Sequence, residues 1–283
     1  MMPALFRLAA VCSLASAAGI APVAMAQATS PQPVVQGPTY ADLADLADAS
    51  SVVVAAQPKK VIRVKNERAP GLAPGFGRYY VEADTTALLF GRGGIGQSFA
   101  YLVDLPLDAR GKAPSIKKRD LLLFARAVPE RPGEIQLVAP SAQLDRTPQT
   151  ESRLRAILTE MAAPDAPGRI TGVREIIHVP GTLAGEGETQ IFLTTADGSA
   201  ASIAVRNSAN GETQWGASFS ELVADTANPP RPGTLTWYRL ACFLPNRVPE
   251  TANLSQTAAT RAQALADYRT VLGELGPCQR TRS

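Results

Sequence analysis

The chain has 283 residues, 45% of them hydrophobic and 19% charged, and its 28 Lys and Arg exceed its 25 Asp and Glu by three. So small an excess does not by itself indicate a nucleic-acid or membrane partner. One histidine and three cysteines leave few residues for nucleophile–histidine catalysis or for a zinc site.

The first 26 residues have the three parts of a secretory signal peptide. Arg7 is the only charge before Asp42, an apolar, alanine-rich stretch runs over 8–24, and Ala24-Met25-Ala26 ends it. A membrane anchor is the alternative, but the apolar segment is short for a spanning helix and contains Pro22. The sequence predicts cleavage after residue 26, export to the periplasm or the medium, and no membrane span in the mature chain.

Residues 27–39 are rich in proline, glutamine and serine and predict a flexible linker. A short helix is predicted at 40–48, with Thr39 as its cap. Strand patterns follow at 52–64, 78–90, 98–105, 121–128 and 134–139. The number and length of these strands favour an OB-like five-stranded small barrel as the fold of a basic β-rich domain, 40–146.

A connecting helix is predicted over 147–163, with Thr147 as its cap and Pro148 in its first position. A second domain, 164–283, is predicted to begin after it. Its strand patterns lie at 170–179, 189–195, 200–206, 213–219 and 234–244. The turn signals Asp197-Gly198 and Asn210-Gly211 indicate an antiparallel β-meander.

A C-terminal amphipathic helix is predicted over 255–275. Its apolar stripe consists of Leu265, Tyr268, Leu272 and Leu275, and Gly276-Pro277 ends it. The whole chain is therefore predicted to be a β-rich α+β protein of two domains.

Two cysteines, Cys242 and Cys278, remain after the signal peptide is removed. An even pair in an oxidising compartment predicts a structural disulfide that ties the C-terminal helix to the strand at 234–244. Two free thiols or a metal site are the alternatives. Without histidines nearby, the pair is a poor zinc site.

A glycine pattern raises the possibility of a dinucleotide site. Gly91, Gly93 and Gly96 have G-x-G-x-x-G spacing after an apolar strand pattern. A nucleotide fingerprint needs a helix next, because the helix N-terminus holds the pyrophosphate. Here an alternating strand pattern follows from residue 98. We interpret the glycines as a hairpin turn and expect no cofactor.

The sequence gives only weak evidence for catalytic residues. His178 lies in an apolar strand-like segment, and we interpret it as a structural residue. Two pairs of acids, Asp104 with Asp108 and Glu186 with Glu188, are close in sequence. The segment 108–111 and the second pair both indicate turns, and nothing marks either pair as an acid–base couple. The sequence predicts no catalytic, cofactor-binding or metal-ligating residue, although carboxylates from distant segments can meet in any fold.

Positive charge is concentrated in the first predicted domain. Residues 59–131 contain 14 Lys and Arg against 7 Asp and Glu, whereas residues 141–283 contain 13 against 14. The candidate anion-binding residues form two clusters: Lys59, Lys60, Arg63 and Lys65, then Arg110, Lys112, Lys117, Lys118 and Arg119. If the clusters share a face, that face attracts anions. Alternatively, these residues solvate loops and protect strand edges.

The sequence thus predicts an exported, non-catalytic binding or structural protein of the bacterial cell envelope. Its expected partner is an anionic envelope polymer or another envelope protein, and not nucleic acid, because the clusters contain no recognition motif. The alternative is an envelope hydrolase that uses scattered carboxylates.

Overall fold

This computed structural model describes residues 37–91, 93–221 and 228–282. The predicted signal peptide, 1–26, and most of the predicted linker, 27–39, lie outside the described residues. Residues 37–283 belong to a single structural unit. The division into domains at 40–146 and 164–283 stays a prediction.

Helix α1 (Tyr40–Asp48) begins where the sequence predicts, with Thr39 as its N-cap. The Thr39 hydroxyl accepts a hydrogen bond from the Asp42 amide at 3.1 Å, and the Asp42 carboxylate accepts one from the Thr39 amide at 2.9 Å. This reciprocal capping box satisfies two amides that a helix start leaves without partners.

An antiparallel sheet occupies the first half of the chain. Its described strands are β1 (Val52–Arg63), β2 (Phe76–Gly91), β3 (Ser98–Pro106), β4 (Leu121–Ala127), β5 (Ile135–Leu137) and β6 (Gln143–Asp145). The order is β3-β2-β1-β4-β5, with β6 also paired to β4. The sequence does not predict β6, because three residues are too few to show alternation. A closed barrel is not detected among the described strands, so the OB-like barrel stays a prediction.

Helix α2 (Pro148–Ala162) confirms the helix predicted after this sheet. The Thr147 hydroxyl accepts a hydrogen bond from the Thr150 amide at 3.1 Å, and Pro148 occupies the first turn. Its buried side chains are Leu154, Ile157 and Leu158, at the spacing of one helix face.

A second sheet, in the other half of the chain, confirms the predicted meander. Its described strands are β7 (Ile170–Pro180), β8 (Gly187–Thr195), β9 (Ser202–Asn207) and β10 (Thr213–Ser218). They pair in the order β10-β9-β8-β7, and all three pairings are antiparallel. Gly198 and Gly211, in the two predicted turns, have φ values of +77° and +84°. Glycine adopts this left-handed region without strain.

The strand predicted at 234–244 is wrong, because the segment forms helix α3 (Leu235–Phe243). The Thr234 hydroxyl accepts a hydrogen bond from the Trp237 amide at 3.3 Å and caps the helix. Leu235 and residues 237–240 are all buried. A helix buried on most sides lacks the one-sided apolar period that identifies a helix in sequence.

Helix α4 (Ala258–Leu275) confirms the C-terminal helix but starts three residues later than predicted, with Thr257 as its cap. Its buried apolar residues are Ala264, Tyr268, Val271 and Leu275. Leu265, assigned to the buried stripe from the sequence, is 37% exposed. The apolar face is therefore rotated from the predicted one.

The hydrophobic core is one cluster that includes side chains from both sheets and from all four described α-helices. Fully buried large residues include Leu43 of α1, Phe124 of β4, Ile157 of α2, Trp215 of β10 and Tyr268 of α4. Burial of one such side chain stabilises a fold by about 1.5–3 kcal/mol. Within the described residues, every helix is too short or too polar to cross a bilayer.

Cys242 and Cys278 lie at disulfide-bonding distance, with an S–S separation of 2.09 Å and a Cα–Cα separation of 5.0 Å. The predicted pair is therefore supported. Its attachment differs from the expectation, because Cys242 lies in α3 and not in a strand. The bridge joins α3 to the segment that follows α4.

Candidate ligand-binding surface

The two predicted basic clusters lie side by side at one edge of the first sheet. Lys59, Lys60 and Arg63 are in β1, and Lys65 follows it. Arg110, Lys112, Lys117, Lys118 and Arg119 lie in the loop 107–120, which joins β3 to β4. All nine are exposed, and we call the surface that they form the basic edge.

Long-range pairing of β1 brings the clusters together. β1 pairs with β4 only over residues 52–56, which leaves the rest of that strand edge open to the loop 107–120. The Lys118 amide donates a hydrogen bond to the Pro58 carbonyl at 2.9 Å, and Arg63 Nη1 donates to the Gly111 carbonyl at 3.1 Å. Each cluster therefore contacts the segment that carries the other. Lys118 is held there with φ +61°, which is costly for a residue with a side chain.

Some of this charge is neutralised by neighbouring carboxylates. Lys59 Nζ lies 2.7 Å from Asp84, Lys60 Nζ lies 2.9 Å from Glu82, and Arg119 pairs with Asp145. The hydrogen bond to Glu82 raises the pKa of Lys60 above its ordinary value. These pairs are exposed, so each contributes little to stability.

The remaining residues of the basic edge are available to a ligand. Over 37–91, 93–221 and 228–282, no carboxylate lies within ion-pair distance of them. They are Arg63, Lys65, Arg110, Lys112, Lys117 and Lys118. A surface with several unneutralised cations has a positive potential that attracts anions.

An exposed row of apolar side chains crosses the same sheet next to the basic edge. Ile62 of β1 is opposite Tyr80 of β2, and Tyr80 is opposite Leu102 of β3. Their exposed fractions are 45%, 37% and 49%. We call these three residues the apolar row. Contiguous exposed apolar side chains of this size indicate a contact surface more often than scattered ones do.

A cleft of about 600 Å³ opens where the apolar row meets the segment 128–140. Tyr80 and Leu102 line one side of this cleft, and Gln136 and Val138 line the other. Its volume lies within the range of about 300–1,000 Å³ that is usual for small-molecule sites. The cleft combines apolar contact area with polar groups.

A bidentate ion pair contributes to the lining of the cleft. Arg78 Nε and Nη2 donate to the two Asp104 oxygens at 2.7 and 2.8 Å, and Arg78 Nη1 donates to the Pro70 carbonyl at 3.0 Å. The hydrogen bond with Asp104 raises the pKa of the guanidinium. On the segment 128–140, Arg131 Nη1 lies 3.3 Å from a Glu134 oxygen. The four charged side chains that line the cleft thus form two neutral pairs.

Sequence reasoning missed the apolar row and the cleft. The alternation Phe99, Tyr101, Val103, Leu105 does place Leu102 on the opposite face of β3, and this was an available signal. The row becomes visible only when the register of three strands is known, and the register is a long-range property.

His178 lies in a buried polar network of the second half of the chain. Its Nδ1 is 2.8 Å from the Thr189 hydroxyl, which donates to Asp267. The His178 amide donates to the Ser255 hydroxyl at 3.0 Å. All four residues are buried, so this network ties β7 and β8 to α4 and to the segment before it.

Each of the four acids noted in the sequence has a polar partner, and Glu188 lies in β8 and not in the predicted turn. Asp104 is bound by Arg78, and Asp108 Oδ1 accepts from the Arg110 and Lys112 amides at 2.9 and 2.8 Å. Glu188 lies 3.6 Å from Arg206, and Glu186 accepts from the Leu183 amide at 3.3 Å. The envelope-hydrolase hypothesis stays a prediction.

In the G-x-G-x-x-G pattern, Gly91 is the last residue of β2, and Gly93 and Gly96 lie between β2 and β3, which pair in antiparallel register with Asp84 opposite Ser98. The Thr85 amide donates to the Gln97 carbonyl at 2.9 Å, so the loop folds back on β2. A strand, not a helix, follows the pattern, as the sequence predicts.

No protein-family model matches the chain, and no curated protein matches it with significant similarity. The function is therefore inferred from the basic edge, the apolar row and the cleft.

Proposed function

We propose that this chain is an exported, non-catalytic binding protein of the bacterial cell envelope, and that it holds an anionic polymer at the basic edge. The observation that carries the proposal is the meeting of two sequence-distant clusters through the contacts Lys118–Pro58 and Arg63–Gly111. If the lysines served only to solvate loops, there would be no reason for the two clusters to lie at the same edge.

Electrostatics supports a polymer more than a single ion. The free cations of the basic edge are exposed and lie at the end of β1, just after it and in the loop 107–120, so their charge is spread along a surface and not gathered around one small anion. A chain of negative charges can interact with several of them at once. Each contact is weak in water, and the sum is sensitive to salt because the Debye length is about 8 Å at physiological ionic strength.

We also propose that the first sheet is an OB-like barrel. In the order β3-β2-β1-β4-β5 the outer strands are β3 and β5. The Ala100 amide donates to the Gly133 carbonyl at 2.8 Å, and the Asp104 amide donates to the Pro140 carbonyl at 2.9 Å. These bonds join β3 to the segments on both sides of β5, which is the connection that a partly open five-stranded barrel requires.

Export is supported by the cysteine pair at disulfide distance, since such bonds persist in oxidising compartments. The predicted signal peptide gives the route. In that compartment the anionic polymers are cell-envelope components, whereas nucleic acid is scarce.

The proposal can be tested by measuring binding of the purified mature chain to polygalacturonate and to its fully methyl-esterified form. The two polymers have the same backbone but differ in charge. We expect saturable binding to the acid form that weakens steeply as salt rises, and weaker binding to the ester. Equal binding to both polymers, unchanged at high salt, would refute an electrostatic site.

A further inference from the structure

We infer that the cleft seats a sugar ring, so that the ligand of the basic edge is an acidic polysaccharide; this inference rests on the proposed function. It concerns the chemical class of the polymer, which charge alone does not specify. Polyphosphates, nucleic acids and acidic polysaccharides all carry repeated negative charges. The composition of the cleft distinguishes a polysaccharide from a polyphosphate, and nucleic acid is scarce in the compartment proposed above.

The cleft is electrically balanced. Arg78 pairs with Asp104, and Arg131 pairs with Glu134. Such a site gives no net attraction to a phosphate. The group that it suits is a ring whose hydroxyl groups donate and accept hydrogen bonds.

The polar groups around the cleft offer both kinds of hydrogen-bond partner. Glu134 supplies carboxylate acceptors, Arg131 supplies donors, and the exposed amide of Gln136 supplies one acceptor and two donors. A sugar ring presents hydroxyl groups at its rim. It can therefore bond to both donors and acceptors, while a phosphate group can only accept from the donors.

The apolar row supplies the complementary surface. A sugar ring has C–H faces that pack on aromatic and aliphatic side chains. Tyr80 lines the cleft and lies between Ile62 and Leu102 in the sheet. An exposed aromatic ring gives a large contact area at low entropic cost. The apolar row can therefore pack on the C–H face of a sugar ring, and the polar groups of the cleft can bond to its hydroxyl groups.

The cleft lies one strand away from the basic edge. Tyr80 pairs with Ile62 of β1, and Lys60, two residues before Ile62, lies on the same face of that strand. Adjacent strands are about 4.8 Å apart. A polymer whose ring rests on Tyr80 can thus place the charged groups of neighbouring units at the basic edge, about one or two strand spacings away.

The test compares Tyr80→Ala and Tyr80→Phe for binding to two probes, polygalacturonate and inorganic polyphosphate, under the same salt conditions. We expect Tyr80→Ala to weaken polygalacturonate binding about tenfold and to leave polyphosphate binding unchanged, because the sugar packs on the aromatic ring of Tyr80 and polyphosphate does not. Tyr80→Phe should bind both probes like the unaltered chain. Leu102→Ser should resemble Tyr80→Ala, and Leu183→Ser, at an exposed leucine outside the cleft, is the matched control.

Outcomes separate this inference from the proposed function. Charge reversal of the basic edge means Lys65→Glu, Lys112→Glu and Lys117→Glu together. If Tyr80→Ala and Leu102→Ser leave polygalacturonate binding unchanged while this charge reversal abolishes it, the inference fails and the proposed function stands. If neither the cleft variants nor the charge reversal affects binding, the inference and the proposed function both fail. If oligothymidine binds more tightly than polygalacturonate and loses more affinity in Tyr80→Ala, the ring is a nucleobase and the inference is overturned. Unaltered melting temperatures and circular dichroism would confirm that each variant is folded.

Discussion

Glu151, in the first turn of α2, lies between two guanidinium groups. Arg146 Nε donates to one of its oxygens at 2.6 Å, and Arg155 Nη2 donates to the other at 2.7 Å. These hydrogen bonds, that from Arg146 first, lower the pKa of Glu151 to about 2. A carboxylate near a helix N-terminus is also favoured by the helix dipole.

This arrangement predicts a pH-dependent effect of Glu151→Gln. The folded pKa is below the unfolded value, so the carboxylate stabilises the fold above about pH 4.5, and the contribution is lost as pH falls toward 2. We expect the variant to unfold a few degrees lower at neutral pH and like the unaltered chain near pH 2. Thermal unfolding between these pH values measures it, with the exposed Glu67→Gln as control. A difference that persisted at pH 2 would contradict the ion-pair explanation.

Gly91, at the end of β2, and Gly93, in the loop that follows, differ in the backbone conformation that they require. Gly91 has φ +151°, a conformation that side chains rarely adopt, whereas Gly93 lies in open space and outside that region. Gly91→Ala should lower the free energy of unfolding by about 1 kcal/mol or more, and Gly93→Ala should have little effect. Denaturant unfolding of both variants measures this. Equal losses of unfolding free energy in the two variants would show that the destabilisation does not come from the backbone angle of Gly91.

The glycine pattern also leads to a prediction about nucleotide binding. Because a strand follows the glycines, we expect titration with NAD or ATP to give no saturable binding. Saturable binding that Gly91→Ala abolished would revive the dinucleotide interpretation.

At the scale of elements, the disulfide connects α3 to the segment after α4. The two cysteines are 36 residues apart, and the loop-closure model gives about 4 kcal/mol for a bridge of that size. Replacing either cysteine with serine should lower the unfolding midpoint, and both thiols should resist alkylation until the protein is reduced. Titration of free thiol in the native protein checks this, and a positive result would refute the pairing.

Much of the element structure could be predicted from local signals. Thr39, Thr147 and Gly276 mark helix ends by mechanisms that act within a few residues, and Gly198 and Gly211 mark turns. Helix α3 was missed because its burial on most sides hides the helical period. β6 was missed because it has only three residues.

The candidate site was predictable only in its charges. The sequence shows both basic clusters, but their meeting depends on β1 extending seven residues past its pairing with β4, from 57 to 63. The apolar row depends on the register of β1, β2 and β3. Neither is encoded in any short stretch, since strand pairing is decided by the whole fold.

At the scale of the whole molecule, the C-terminal segment connects distant parts of the fold. Asp42 of α1 accepts hydrogen bonds from the Thr281 and Arg282 amides at 2.9 and 3.0 Å. Burial opposes ionisation of Asp42, but hydrogen bonds from the Thr281 hydroxyl and from the Thr39 and Thr281 amides lower its pKa. Arg282 Nη2 also donates to the Ser141 carbonyl at 2.9 Å, next to the first sheet. The last residues thus link the α1 N-terminus to the segment before β6.

Export is a prediction about the whole molecule. Expressed with its own leader in a Gram-negative host, the mature chain should begin at Gln27 and appear in the periplasmic or culture fraction. N-terminal sequencing and fractionation measure this. A membrane-bound product that retained Met1 would contradict it.

The central claim is that position, and not net charge alone, makes the basic edge a binding site. It is tested most directly by two triple variants with the same change in net charge. Lys65→Glu, Lys112→Glu and Lys117→Glu alter the basic edge, while Arg231→Glu, Arg247→Glu and Arg269→Glu alter exposed positions in the second half of the chain. Reversal at exposed positions should leave the fold intact in both.

The measurement is the dissociation constant for polygalacturonate at physiological salt, for both triple variants and the unaltered chain. We expect the basic-edge variant to lose at least about tenfold in affinity, because local potential falls within a Debye length of about 8 Å. The second-half variant should bind nearly as well as the unaltered chain. Equal losses in the two variants, or no loss in either, would contradict a ligand site at the basic edge.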